Sequence, residues 1–194
     1  MKGITLLALS IFSTAFLSFT PISKKYIVID AGHGGNDFGA AYGEILEKNI
    51  ALSIAKEIRK INESQDKYEV ILTRDSDSSP TLAERTDQIN KLNPEMVISL
   101  HVNSSPQKER SDNGFEVYVQ NSDVSKELAG KIYKKFNARK IEERQNLHML
   151  RETKAPAVLV ELGFINNSDN RNYITSEKGQ KEIAQKFVEI INEY

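Results

Sequence analysis

A short apolar run that stops abruptly in a glycine-rich loop is the feature that most constrains how this chain can fold. The run begins Y-I-V-I at residues 26–29, and its aromatic and β-branched residues are typical of a buried strand. The glycines that follow let the backbone turn sharply and approach a ligand closely. A nucleotide-phosphate loop is the simplest alternative, but the third glycine position of G-x-G-x-x-G, counted from Gly32, holds Asp37, and no G-K-[ST] follows. His33 in this loop therefore becomes the residue of interest.

Helical and strand-like segments alternate after this loop. Helices are predicted over 47–64, 125–139 and 176–194, and strands over 26–29, 68–73, 96–100, 115–119 and 157–160. Thr81 and Glu84 form a capping box that predicts a further helix from Leu82. Between 119 and 147 we expect only one helix and a short connection. The alternation predicts an α/β fold, in which helices cover both faces of a mostly parallel, twisted sheet.

The start of the chain has the pattern of a secretory leader. An uncharged run over residues 4–19 follows a charged start and precedes a basic pair at residues 24–25. The run is shorter than the ~20 residues of a membrane-spanning helix. We therefore expect a cleaved signal peptide or an uncleaved N-terminal anchor over residues 1–22, followed by one domain over residues 24–194. Such a protein is exported to the periplasm or cell envelope, and touches the membrane only through an uncleaved leader.

Composition excludes several classes of protein. The chain has no cysteine, so it has neither a disulfide framework nor a lipidated-cysteine anchor. Its formal net charge is −1, which leaves no basic surplus for a nucleic-acid partner. We expect a monomer whose stability comes from burial alone, in a domain of roughly 170 residues.

Two histidines and two carboxylates are predicted to meet at one edge of the sheet. His33 follows the first strand, His101 stands at the end of the third, and Glu161 ends a late strand. In open α/β sheets, ligands bind outside the carboxyl ends of the strands. Glu47 begins the helix after the His33 loop, so its carboxylate can point back over the same edge, with Glu44 as its nearest rival.

Two imidazoles and one carboxylate are the ligand set of a catalytic zinc site, which keeps a fourth position for water. Zinc lowers the pKa of its water from ~15.7 to roughly 7 and polarises a carbonyl oxygen. Glu161 follows the apolar V-L-V, surroundings that raise the pKa of a carboxyl toward the range of a general base. The residues thus predict hydrolysis of an amide, with His33, Glu47 and His101 as metal ligands and Glu161 as the base.

Taken singly, each of these residues has a simpler explanation. A strand-end histidine is more often a hydrogen-bonded structural residue, and Glu47 is favoured by the helix dipole at a first turn. Glu161 is equally suited to a buried ion pair with Arg151. His148 has apolar neighbours and no glycine turn, so we expect a structural or surface histidine. The joint placement at one sheet edge is what favours the metal site.

Several ordered motifs cover nearly the whole chain from Lys25 to Tyr194. They are I-D-A-G-H-G-G at 29–35, E-K-N-I-A-L at 47–52, L-T-R-D-S-D at 72–77, L-A-E-R at 82–85, I-S-L-H-V-N at 98–103 and P-A-V-L-V-E-L-G-F-I-N-N at 156–167. Together they resemble the zinc-dependent N-acetylmuramoyl-L-alanine amidases, secreted enzymes that cut peptidoglycan between N-acetylmuramic acid and the first alanine of the stem peptide.

The resemblance implies the same site. Matched motif by motif, it makes His33, Glu47 and His101 the ligands of one Zn²⁺ ion and Glu161 the catalytic carboxylate. It implies that Asn103 contacts the substrate or supports the metal ligands. Arg151 matches an arginine near the active-site cleft of the family.

The resemblance also bears on partners. Cell-division members of the family carry an inserted helix that blocks the zinc until a protein activator removes it. The polar segment 103–113 is too short for such a helix, so we expect an open site that acts on peptidoglycan in wall remodelling or daughter-cell separation. Two alternatives stay open, namely a zinc peptidase acting within the stem peptide and a non-catalytic wall-binding module.

Overall fold

Strands and helices alternate along residues 25–105 and 113–194, the residues that this computed structural model describes. The leader predicted over residues 1–22 lies outside them. The strands are β1 (Tyr26–Ala31), β2 (Ala41–Tyr42), β3 (Ile45–Leu46), β4 (Glu69–Leu72), β5 (Met96–Asn103), β6 (Glu116–Val119), β7 (Lys140–Glu143) and β8 (Ala157–Phe164). The helices are α1 (Glu47–Asn62), α2 (Leu82–Leu92), α3 (Asp123–Phe136), α4 (His148–Glu152), α5 (Ser168–Thr175) and α6 (Glu177–Asn192).

The central sheet has the strand order β4-β1-β5-β8-β6-β7, and β2 pairs with β3 in a small separate hairpin. Neighbouring strands of the sheet are parallel except for β6 and β8, which are antiparallel. The strands β1, β5 and β8 are adjacent and run in the same direction, so their carboxyl ends lie side by side. The predicted α/β fold with a mostly parallel sheet is confirmed.

Apolar side chains fill both faces of the sheet. On one face Ile27, Ile29 and Ile98 belong to a cluster that includes residues of α1, α3 and α6. On the other face Val28 and Val97 belong to a smaller cluster with residues of α2 and α4. Successive strand residues point to opposite faces, so a strand covered on both sides is apolar throughout. This is why the central strands are readable as continuous apolar runs.

The capping box that begins α2 is also confirmed. The Thr81 side chain accepts from the Glu84 backbone N–H, and the Glu84 carboxylate accepts from the Thr81 N–H. Two orphan donors of the first helical turn are satisfied in this way. Within the described ranges, no helix combines the length and apolar character needed to cross a membrane.

Several details differ from the predictions or were not predicted. The segment 119–147 holds a strand, β7, in addition to one helix, and α4 and α5 follow as two short helices. The strand β8 continues past Glu161 to Phe164. Its pairing with β5 shifts register between His101 and Asn103, because β8 carries an extra residue there. This β-bulge lies beside the predicted site, a place where bulges commonly re-aim side chains.

Candidate metal centre

The fold brings His33, Glu47 and His101 to one point at the carboxyl edge of the sheet. His33 lies in the loop directly after β1, and His101 is near the end of the adjacent strand β5. Glu47 is the first residue of α1, so its carboxylate faces back over this edge. Its rival Glu44 is exposed in the turn between β2 and β3.

One carboxylate oxygen of Glu47 is the centre of this cluster. Glu47 Oε1 lies 3.0 Å from His33 Nε2 and 2.9 Å from His101 Nδ1. One ligand atom from each residue lies within 4.8 Å of the others. Three such atoms, two nitrogens and one oxygen, can converge on a single divalent cation, and the donor set is that of a catalytic zinc site.

Two glycines make room for the cluster. A Cβ atom on Gly32 would lie 2.4 Å from His101 Cε1, and one on Gly39 would lie 2.4 Å from Glu47 Oε2. Gly39 also has a φ of 65°, which other residues rarely adopt. Any side chain at either position would displace a ligand, so the glycines of this loop serve close packing against the site.

Backbone and side-chain hydrogen bonds orient the ligands from outside. Asp37 Oδ2 lies 2.9 Å from His33 Nδ1, on the side of the ring away from Glu47. The two oxygens of Glu47 accept from the backbone N–H groups of Ala40, at 2.6 Å, and Val102, at 2.9 Å. A carboxylate behind a histidine fixes its ring orientation and its tautomer, as is common for metal-binding histidines.

The cluster shifts the pKa of each of its members. The hydrogen bond to Glu47 raises the pKa of His33 to about 9. Burial opposes charge on Glu47, but hydrogen bonds from His101 and His33 lower its pKa to about 2. Burial also opposes charge on His101, and the hydrogen bond to Glu47 nevertheless raises its pKa. In the absence of metal, the hydrogen bonds of the cluster thus favour a protonated His33 beside an ionised Glu47.

Glu161 lies on the next strand, and its Cα is paired in register with that of His101. Burial raises the pKa of Glu161 to about 7, and the charges of Glu47 and Glu116 act in the same direction. A carboxyl whose pKa is close to the working pH is suited to proton transfer. The prediction that apolar surroundings raise this pKa agrees with the structure.

A cavity of about 420 Å³ opens at the two histidines. Its far wall consists of the start of α2 and of α4, where His148 and Met149 face it together with Leu147 and Leu82. His148 was expected to be structural or on the surface, but it lines the same cavity as His33 and His101. No local sequence signal marks it, because its position depends on the packing of α4 against α2.

The two residues assigned through the resemblance lie in different places. Asn103 Nδ2 donates to the buried carboxylate of Glu116 at 3.0 Å, so Asn103 is held against the strand next to Glu161. Arg151 is on α4, where its Nε donates to Glu152 Oε1 at 2.8 Å. Its Nη2 lies 3.5 Å from His148 Nδ1, which connects it to the cavity wall through that histidine.

Comparison with known proteins shows which family this chain resembles in sequence and in fold. A sequence model of the N-acetylmuramoyl-L-alanine amidase family matches residues 27–193. An endolysin of Bacillus phage SPP1 is 36% identical over 182 residues, which are 88% of this chain and 66% of the endolysin. The chain therefore spans just under two thirds of that relative.

Solved structures of amidases have a fold similar to that of this chain. The catalytic domain of CwlV, an N-acetylmuramoyl-L-alanine amidase from Bacillus (Paenibacillus) polymyxa var. colistinus, has a TM-score of 0.82 and 35% identity, with 88% of this chain and 97% of that domain covered. The CwlD amidase from Clostridioides difficile, solved in complex with the GerS lipoprotein, has a TM-score of 0.82 and 31% identity, with 88% and 98% covered.

Proposed function

The chain belongs to the N-acetylmuramoyl-L-alanine amidase family, and we propose that it hydrolyses the amide bond between N-acetylmuramic acid and the L-alanine of the peptidoglycan stem peptide. One observation carries the proposal. Within the part of the chain that the family matches, residues 27–193, His33, Glu47 and His101 converge beside a carboxyl with a raised pKa. The same arrangement is what metal-assisted hydrolysis of an amide requires.

We propose that the cluster holds one Zn²⁺ ion. The spacing of its ligand atoms, the room provided by two glycines and the two-nitrogen, one-oxygen donor set all fit zinc. When bound, zinc supplies a Lewis acid for the amide carbonyl and lowers the pKa of water at the site. A hydrogen bond to Asp37 would hold the His33 ring in the orientation that metal binding needs.

Glu161 is proposed as the general base of the reaction. It accepts a proton from the attacking water and delivers it to the nitrogen of the leaving L-alanine. Its partly buried position on β8 limits competing contact with bulk water, and its pKa of about 7 allows both steps at neutral pH. The cavity between the histidines and α4 gives the substrate a place to lie beside His101, whose Cα is paired with that of Glu161.

The reaction products test the activity directly. Purified protein loaded with zinc is expected to convert peptidoglycan into free glycan strands and intact stem peptides, which mass spectrometry of the digest identifies. Shortened stem peptides would support the zinc peptidase instead. Binding to peptidoglycan without any cleavage would contradict both enzymes and favour a wall-binding module.

Zinc binding is expected to release protons. His33, with a pKa of about 9, is protonated at pH 7 in the metal-free protein, whereas an imidazole that binds metal is neutral. Protons and zinc thus compete for the His33 imidazole, and raising the pH removes this competition. Zinc affinity should therefore increase by up to about tenfold per pH unit for each displaced proton, and it should level off above pH 9. Calorimetric titrations at pH 7 in buffers of different ionisation enthalpy measure the release. Equal apparent enthalpies in all buffers would contradict the prediction.

We further propose an enzyme of the cell envelope that works in wall remodelling or cell separation, with residues 24–194 as its catalytic domain. Cell-wall substrates and the family of its relatives support this location. Side-chain exposures of 24% for His33 and 21% for His101 support a site that substrate reaches without an activator. Adding cell extract to purified protein should therefore leave turnover of peptidoglycan nearly unchanged.

A further inference from the structure

The loop that carries His33 presents a series of backbone carbonyls to three cationic side chains. The cations are Arg74, from the L-T-R-D-S-D motif, Arg85, from L-A-E-R, and Lys48, and each residue is no more than 6% exposed. Lys48 Nζ donates to the Gly35 carbonyl at 2.8 Å and to Asp77 Oδ2 at 2.7 Å. Two of the three motifs that contribute no proposed metal ligand thus help to support the loop that carries His33.

Arg74 holds the first part of the loop. Its Nε donates to the carbonyl of Ala31 at 2.9 Å, and its Nη2 donates to those of Gly32 and Lys48, each at 2.8 Å. The carbonyls of Ala31 and Gly32 lie where the chain leaves β1, and that of Lys48 is in the first turn of α1. Buried carbonyls need hydrogen-bond partners, and the guanidinium provides them.

Arg85 reaches His33 itself. Its Nη2 donates to the His33 carbonyl at 2.5 Å, and its Nη1 donates to the Ala31 carbonyl at 2.7 Å and to Asp30 Oδ1 at 2.8 Å. Asp30 is only 2% exposed and also accepts from Ser99 Oγ at 2.6 Å. The guanidinium of Arg85 therefore fixes the main chain of His33 relative to β1. Asp30 extends this connection to Ser99 on the adjacent strand β5.

His33 needs such a support because of its backbone conformation. Its φ is 59°, in the left-handed region that residues with a side chain rarely adopt. Gly34 and Gly35, which follow, also have positive φ values of 135° and 55°. Asp37 holds the His33 ring from within the loop, and the hydrogen bond from Arg85 to the His33 carbonyl holds its main chain from outside the loop.

We propose that Arg85 is a positioning residue for the metal centre, which sets zinc affinity by holding the His33 backbone in its left-handed conformation. The inference rests on the zinc site proposed above. Two nitrogens of the guanidinium act at a fixed angle, one on β1 and the other on His33. A lysine ammonium at this place has the same charge but is a single point, so it cannot bridge both positions.

The test compares zinc dissociation constants of wild type, R85K and R74K by competition with a chromogenic chelator. R85K is expected to bind zinc about 10–100-fold more weakly, the usual effect of removing an outer partner of a metal ligand. R74K alters an equally buried arginine that donates to the carbonyls of Ala31 and Gly32 but not to that of His33, so its zinc affinity should fall less. R59K alters a partly exposed arginine of α1 that lies 3.9 Å from Asp75, and its zinc affinity should match that of wild type.

Thermal unfolding of the metal-free proteins separates positioning from stability. Zinc affinity is measured at a temperature well below the unfolding midpoint of each protein. If R85K does not fold, R85Q, which keeps a planar amide, replaces it. Zinc binding by R85K within twofold of wild type, or equal losses in R85K and R74K, would overturn the proposal. Wild-type protein that binds no zinc would instead overturn the metal centre itself.

Discussion

Replacing Glu161 by glutamine is expected to lower the turnover of peptidoglycan by roughly 10³-fold or more while zinc stays bound. Glutamine keeps the shape of the side chain but cannot accept the proton of water, and a positioned general base contributes about 10²–10⁴-fold. None of the three proposed metal ligands changes, so zinc content should remain at about one ion per chain. Turnover and metal content of the same preparation are the two measurements.

A matched variant shows that the effect belongs to this carboxylate. Glu143 is an exposed glutamate on β7, 3.4 Å from Lys126, and its change to glutamine should leave turnover within about twofold. If Glu161→Gln retained wild-type turnover, Glu161 would not be the base. Loss of zinc from this variant would show that Glu161 supports the metal instead.

Replacing Glu47 by alanine is expected to abolish both zinc binding and turnover. The carboxylate is 4% exposed, and hydrogen bonds from His101 and His33 hold its pKa at about 2, so it supplies a full negative charge to the metal site. Its removal leaves two imidazoles that repel each other when protonated. We expect zinc affinity to fall by more than the roughly 10–100-fold seen for outer partners, and turnover to fall to background.

Glu44→Ala is the natural control for this change. Glu44 is an exposed glutamate three positions earlier in the sequence and was the nearest alternative ligand. The variant should keep the zinc affinity and turnover of wild type. Equal losses in Glu44→Ala and Glu47→Ala, measured by chelator competition and by release of stem peptides, would count against Glu47 as the specific ligand.

The central part of the fold was predictable because its strands are buried on both faces. The strands β1, β5 and β8 contain short runs of buried apolar residues, several of them β-branched, and no helical period fits such short runs. The strand β7 was missed for the opposite reason. Its sequence, K-I-E-E, belongs to an edge strand with two exposed residues, and charges of this kind protect a sheet edge without giving an apolar signal.

The short helices were missed because little in their sequences is helical. The helix α4 has five residues and no side-chain cap, and α5 buries only Ile174. Such helices form because tertiary contacts hold them, and not through local propensity. Since His148 lies on α4, missing this helix also hid the fact that His148 lines the cavity.

The convergence of His33, Glu47 and His101 was easier to predict than the hydrogen bonds that hold these residues in place. A histidine after a strand is visible in the sequence, and the topology rule for parallel sheets brings such residues together. The hydrogen bonds from Arg85 to the carbonyls of Ala31 and His33 depend on how α2 packs against β1, which the motif L-A-E-R does not reveal. The same holds for Glu116, whose bond to Asn103 joins two strands of opposite direction.

The parallel pairing at the centre of the sheet has a consequence for how the protein folds. The strands β1 and β5 pair through Ile27 and Met96, two residues far apart in the sequence. Long loops must close before such pairs contribute any contact energy, so native topology of this kind is reached slowly. The side chains at the carboxyl edge come together only after this closure. An ion held there cannot direct early folding and instead lengthens the lifetime of the native state.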